Sequence, residues 1–232
     1  MQVFSLTYAG GTASFYDTIE KACDKNIEFI KFEYPGHGIK NKEKLCYSID
    51  EVVEKFYLEL KEKNNGEPYA ILGYSMGSLI AIYALQYIYL KNEKQLPNHI
   101  FICAHCPHII VKLNEINENN IDDYVKKRTV EFDAIPNKLL NNNIFWRMYL
   151  PIYKADYTMI NTFDIESFKF KTNVPATVFY GKNDIASQNI SDWNKFFNKE
   201  IEYIGYNSGH FFIKEYYKDM AMVIQERLYC IN

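Results

Sequence analysis

Between Tyr69 and Leu90 the chain reads YAILGYSMGSLIAIYALQYIYL, and this stretch restricts the fold more than any other. Tyr69 to Leu72 is a short apolar run with no polar alternation, as in a strand buried on both faces. Gly73-Tyr74-Ser75-Met76-Gly77 follows at once. The next segment, Ser75 to Leu90, is apolar nearly all round, so it reads as a helix buried in a large core. Strand, glycine-flanked turn and buried helix in direct succession require a covered parallel sheet.

The remaining pattern agrees. Short β-branched or aromatic runs at Val3 to Thr7, Ile27 to Phe32, His99 to Cys103, Ala176 to Tyr180 and Ile201 to Ile204 read as further strands. Helical segments lie between them. Ser48 stands three residues before Glu51, a capping-box spacing, and Val52, Val53, Phe56, Tyr57 and Leu60 form one apolar face behind it. Trp193, Phe196 and Phe197 suggest the inner face of another helix. Tyr216, Met220, Val223, Ile224 and Leu228 suggest that of a last one. The alternation lapses between about His108 and Val174. That stretch carries helical patterns, Asn141 to Asn143 and many aromatics, so a single α/β domain over 1–232 with a helical insertion at about 109–172 is expected.

Composition removes several classes of function. The formal net charge of −3 gives no basic excess to attract nucleic acid or an anionic membrane. Met76 to Leu90, broken by Ser78 and Gln86, is shorter than the ~20 residues a membrane span needs. Met1 runs into apolar sequence without a basic leader, and the five cysteines are odd in number. Both favour a reducing cytoplasm over a disulfide framework. A monomer is expected.

A Gly-x-Ser-x-Gly at a strand-to-helix junction has a mechanical meaning. The sharp turn leaves room only for small neighbours, here Gly73 and Gly77, and the helix N-terminus offers unpaired N–H groups from Met76 onward. A serine nucleophile needs a base, and the base an acid to orient it, in the chain order Ser, acid, His. Of the histidines after Ser75, His210 lies in GYNSGHFFI, a loop after the last strand. The acid belongs at the end of the preceding strand, where VFYGKNDIAS offers Asp184; Asp156, Asp192 and Glu202 are the rivals. A second oxyanion donor should come from the loop after an early strand. TYAGGT, at Thr7 to Thr12, supplies Ala9 as the preferred donor and Gly10 as its competitor.

Together these pieces resemble the type II thioesterases, the stand-alone editing hydrolases of nonribosomal peptide and polyketide synthesis in the α/β-hydrolase superfamily. YAGGTASFY looks like that family's opening, FEYPGHG its Pro-Gly-Arg-Gly turn, GYSMGS its nucleophile elbow and NIFWRMYLPIYKADYTMINTF its lid. GKNDIASQNISDWNKFF resembles its Gly-x-x-Asp turn with the following tryptophan, and SGHFFI its Gly-Gly-His-Phe-Phe. The resemblance spans nearly the whole chain in order. It departs at His37, where the family usually has arginine, and at Ser208 in place of a glycine. It implies an α/β-hydrolase fold with a helical lid, Ser75, Asp184 and His210 as triad, and Ala9 with Met76 as oxyanion donors. It also implies acyl or aminoacyl thioesters as substrates. These would be carried on the phosphopantetheine arm of acyl or peptidyl carrier proteins, with no cofactor of the enzyme's own and no metal. A medium-chain acyl-thioester or general carboxylester hydrolase is the alternative within that chemistry. A non-catalytic binding protein of the same fold is the alternative outside it.

Other signals carry less. Cys103-x-x-Cys106 with His105 and His108 could suggest a metal or redox pair, but its ligands crowd into one segment with no second pair elsewhere. His37 reads as structural. Among the aromatics Phe145, Trp146, Tyr149, Tyr153 and Tyr157 of the insertion, Trp146 and Tyr149 are the candidate substrate contacts, together with Gly10 of the early loop. Cys230, near the C-terminus, reads as an unpaired thiol.

Overall fold

The structure is a computed structural model that describes residues 1–108, 120–163 and 168–229; Cys230 and part of the expected insertion lie outside the described residues. Six strands make one sheet: β1 (Gln2–Leu6), β2 (Glu28–Lys31), β3 (Tyr69–Tyr74), β4 (His99–Cys103), β5 (Ala176–Gly181) and β6 (Glu202–Tyr206). Their order is β2-β1-β3-β4-β5-β6 and every pairing is parallel. Strands β1, β3 and β4 are buried at every residue, which is why their sequences show no alternation.

Among the described residues six α-helices accompany the sheet: α1 (Asp17–Ala22), α2 (Ile49–Lys63), α3 (Met76–Leu90), α4 (Ile121–Glu131), α5 (Asn143–Ile160) and α6 (Ile213–Tyr229). Helices α2 and α3 pack together on one face and α1 with α6 on the other, each over its own apolar cluster. Leu79, Ile80, Ile82, Leu85 and Ile88 of α3 are fully buried, each worth roughly 1.5–3 kcal/mol relative to exposure. Helices α4 and α5 sit between β4 and β5, where a helical insertion was expected. An Asn142 cap opens α5, its side chain accepting from Ile144 N–H and Phe145 N–H at 2.9 Å each. The Trp193 segment is helical as expected, with Trp193, Phe196 and Phe197 all buried. Ile190–Phe196 is a tight 3-10 helix rather than an α-helix. It starts from a left-handed Asn189 (φ 57°), and Trp193 Nε1–H fastens it to His105 O at 2.8 Å.

The order of the sheet dictates where a ligand can sit. From β1 the chain steps outward to β2, then returns to the other side of β1 for β3 and continues outward. The loops after β1 and β3 therefore diverge at their carboxyl ends, the place where open α/β sheets hold ligands. Those loops carry Ala9 and Ser75.

Candidate active site

Ser75 closes β3 with φ 53° and ψ −118°, a conformation that costs a non-glycine residue of order 1–3 kcal/mol. Packing on both sides imposes it. A Cβ on Gly77 would lie 2.1 Å from Leu6 O, and one on Gly73 would lie 2.3 Å from Gly77 O, so neither position accepts a larger residue unchanged. Ser75 N–H is held by Cys103 O at 2.7 Å. Ser78 Oγ accepts from Cys103 N–H at 3.0 Å and reaches Cys103 O at 2.8 Å, locking the start of α3 to β4.

The strained turn brings Ser75 Oγ within 3.0 Å of His210 Nε2. On the other side of the ring, His210 Nδ1–H donates to Asp184 Oδ2 at 2.8 Å. Asp184 follows β5 and caps a short turn, Oδ1 accepting from Ala186 N–H at 2.9 Å and Oδ2 from Ser187 Oγ at 3.3 Å. Both members are buried. Tyr74 OH donates to His210 O at 2.6 Å, and the Phe132 ring lies 4.9 Å from the imidazole. The imidazole thus has one tautomer available, with Nε2 facing the serine as an acceptor.

The loop after β1 faces this pair. Tyr8 to Gly11 form a turn closed by Gly11 N–H to Tyr8 O at 2.9 Å, with Gly10 at φ 76° as such a turn requires. Tyr16 OH to Leu6 O (2.8 Å) and Tyr34 OH to Thr7 O (3.0 Å) hold the strand end beneath it. Gly10 N–H is taken by Asp156 Oδ2 at 2.6 Å. That removes Gly10 from contention as an oxyanion donor and leaves Ala9, which lines a cavity of about 20 Å³ with Ser75, Tyr8, His105, Phe132 and His210. A space of that size holds about one water. Met76 N–H opens α3 beside Ser75, where helix N–H groups have no intrahelical partner.

The three rival acids are all engaged elsewhere. Asp156 pairs with His37 Nε2 at 3.0 Å, Asp192 with His108 Nε2 at 2.5 Å, and Glu202 with Arg227 Nε at 2.8 Å.

A family model described as Thioesterase, thioesterase domain, matches residues 1–227. The chain belongs to the thioesterase family. Among curated relatives, the gramicidin S biosynthesis protein GrsT of Aneurinibacillus migulanus is 25% identical over 93% of this chain and 84% of its own. The medium-chain S-acyl fatty acid synthase thioesterase of Homo sapiens is 26% identical over 81% of this chain and 71% of its own. Among solved structures, ClbQ from the colibactin NRPS/PKS pathway superposes with a TM-score of 0.86 at 21% identity, covering 99% of this chain and 97% of that one. The α/β-hydrolase fold expected from the sequence is the fold these structures share.

Within this thioesterase, the expected substrate contacts separate. Gly10 and Tyr149 line a broader cavity of about 530 Å³ with His37, Met148 and Pro151, which Ser75 does not line. Trp146 lines neither cavity. Its Nε1–H donates to Leu140 O at 2.8 Å and its ring packs near Tyr153, so it holds the insertion together instead. Residues that sequence reasoning missed are Tyr8, Phe132, Ala134, Ile160 and Phe211, which line the Ser75 cavity. His105 was noticed only as part of Cys-x-x-Cys. Burial lowers its pKa to about 4, and Nδ1–H donates to the Cys106 carbonyl, so it presents a neutral ring to the cavity. Cys103 and Cys106 are buried free thiols, and among the described residues no cluster of His, Cys, Asp or Glu is placed to hold a metal. No helix among them is long and apolar enough to cross a membrane.

Proposed function

We propose that the protein hydrolyses acyl or aminoacyl thioesters held on the phosphopantetheine arms of carrier proteins, with Ser75 as nucleophile, His210 as base and Asp184 as orienting acid. The observation that carries this is the hydrogen-bonded chain from Ser75 Oγ through His210 to Asp184, set at a crevice that Ala9 also lines. Relatives named for gramicidin S and colibactin pathways support the carrier-bound substrate and the editing role.

In this reading Ser75 Oγ attacks the thioester carbonyl as His210 Nε2 takes its proton, and Asp184 stabilises the imidazolium. The N–H groups of Ala9 and Met76 receive the oxyanion, each worth ~3 kcal/mol in comparable sites. Collapse breaks the C–S bond, and the imidazolium protonates the departing pantetheine thiolate. Water then gives its proton to His210 and its oxygen to the acyl carbon. A second collapse frees the carboxylic acid and returns the proton to Ser75. Every group used belongs to the chain, the substrate or solvent water, so this reading calls for no cofactor. The narrow space beside Ser75 favours short acyl groups. The medium-chain human relative keeps a second reading open, hydrolysis of longer acyl thioesters, which would require Phe132, Tyr157 and Ile160 to move aside.

A fluorophosphonate should label the native protein stoichiometrically and leave Ser75→Ala unlabelled; absence of labelling in the native protein would rule out the serine mechanism. Hydrolysis of an acetylated carrier protein should then exceed that of a medium-chain acyl carrier protein and of a simple aryl ester. The reverse order would move the assignment to the second reading or to a general esterase.

A further inference from the structure

Asp156 sits on α5, far from Ser75 in sequence and only 2% exposed. One of its oxygens, Oδ2, takes two bonds, from Gly10 N–H at 2.6 Å and from His37 Nε2 at 3.0 Å. His37 Nδ1 in turn lies 3.0 Å from Pro35 O. A carboxylate and a carbonyl are both acceptors, so both ring nitrogens of His37 must donate. Only the imidazolium has two N–H groups. The two buried side chains therefore form an ion pair that joins three separate pieces of chain: the turn after β1, the Pro-Gly-His-Gly turn after β2, and α5.

A buried ion pair is a poor source of net stability, because desolvation offsets most of the attraction. Its use has to be sought in what it holds, which is the Ala9–Gly10 peptide. The Tyr8–Gly11 turn has two N–H groups that could serve Ser75, those of Ala9 and Gly10. Asp156 takes one of them, and Ala9, lining the Ser75 cavity, supplies the other. Helix α5 also packs closely on this turn, since the Tyr153 ring lies within 2.1 Å of where a Cβ on Gly10 would be. We infer that Asp156, held by His37, is a positioning residue for the oxyanion hole, fixing the orientation of the Ala9–Gly10 peptide and tying it to the seat of α5. The inference rests on Ser75 being the nucleophile.

The pair also gives the hole a pH dependence. His37 faces Asp156 and Glu33, with Tyr34 beside it; Asp156 also faces Cys46, Tyr153 and Tyr157. Burial lowers the pKa of His37, but the attraction of Asp156, its hydrogen bond, the Pro35 carbonyl and Glu33 together raise it above the usual histidine value. As pH climbs through that raised value, His37 loses one proton and can no longer satisfy both Pro35 O and Asp156.

The test uses three variants with a short acyl-pantetheine thioester as substrate. A trifluoromethyl ketone analogue, which adds to Ser75 and places an oxyanion in the hole, serves as the probe. Asp156→Leu should lower kcat by about 100-fold, the scale of a misplaced oxyanion donor. KM should stay within about threefold of the parent value, and Ki for the ketone should rise in step with the fall in kcat/KM. Asp156→Asn, which keeps an acceptor for Gly10 N–H, should recover at least tenfold of the loss. An Asp156→Leu protein that folds and binds the ketone as the parent does would overturn the inference, and so would Asp156→Asn failing to exceed Asp156→Leu. If Asp156→Leu does not fold, His37→Gln decides. The parent should lose kcat on the alkaline side while His37→Gln shows a lowered, flat profile there, and an identical alkaline limb in both would overturn the inference. Fluorophosphonate labelling of Ser75 in the parent separates this outcome from failure of the serine mechanism itself.

Discussion

A single hydrogen bond, His210 Nδ1–H to Asp184 Oδ2 at 2.8 Å, decides which ring nitrogen faces Ser75. Asp184→Asn keeps the shape but offers the ring an amide that can turn its own N–H toward Nδ1. The wrong tautomer then follows, and turnover should fall by ~10⁴-fold in a steady-state assay. A near-normal rate would remove Asp184 from the mechanism, and no rival stands ready, since Asp156, Asp192 and Glu202 are each bonded to another side chain. At this scale the sequence was informative wherever chemistry and local geometry coincide. Gly73 and Gly77 announce the tight turn, and chain order points to Asp184 and His210. It preferred Ala9 to Gly10 as oxyanion donor but held no physical reason that sets the two apart. The group that separates them, Asp156, is brought in by tertiary packing from 146 residues away. For the same reason the cavity lining of Phe132, Ala134, Ile160 and Phe211 carried no local signal.

Helix α2 shows how far elements can be read directly. Ser48 Oγ accepts from Glu51 N–H at 3.3 Å, as the capping-box spacing requires. The reciprocal bond is displaced by one residue: Tyr47 N–H donates to Glu51 Oε2 at 3.1 Å. Val52, Val53, Phe56 and Leu60 are buried against α3 on the face the periodicity marked. Ser48→Ala removes one cap acceptor, so urea unfolding should show a loss of about 1 kcal/mol, with activity unchanged because α2 lies behind the sheet rather than at the crevice. A loss well beyond 2 kcal/mol would mean that Ser48 does more than cap. Strands were legible for the same local reason, a short apolar run between turn residues. The Trp193 segment was legible as a helix, but not as a 3-10 one. Its apolar spacing suits a helix of either kind, and the bond from Trp193 to His105 O is not visible in sequence. The bond from the Trp146 indole to Leu140 O was likewise not visible in sequence.

For the molecule as a whole, acid should be more damaging than its near-neutral charge suggests. His99 is buried in β4, its Nε2 2.9 Å from Thr177 Oγ1 and its ring stacked near Phe101. Burial, aided by Arg227 nearby, lowers its pKa to about 4; burial does the same to His105. In the unfolded chain both return to the usual value near 6.5. Below that pH the unfolded state binds more protons than the folded one, so stability rises with pH in this range and is lost as pH falls from about 6.5 towards 4. Each histidine then contributes a slope of up to about 1.4 kcal/mol per pH unit and about 3 kcal/mol across the window. That is a large share of a total stability of about 5–15 kcal/mol. His37, with its raised pKa, works in the opposite sense. Its contribution is fully present below the unfolded value and lost only as pH rises through the folded one. Urea unfolding at a series of pH values from 7 to 4 should show ΔG falling with a slope approaching two protons. His99→Gln, which can keep a bond to Thr177 without titrating, should remove about half of that slope. An unchanged slope in this variant would place the acid sensitivity in the carboxylates whose pKa values hydrogen-bonded partners lower, Glu93 beside Lys61, Asp192 beside His108 and Glu202 beside Arg227, rather than in the buried histidines.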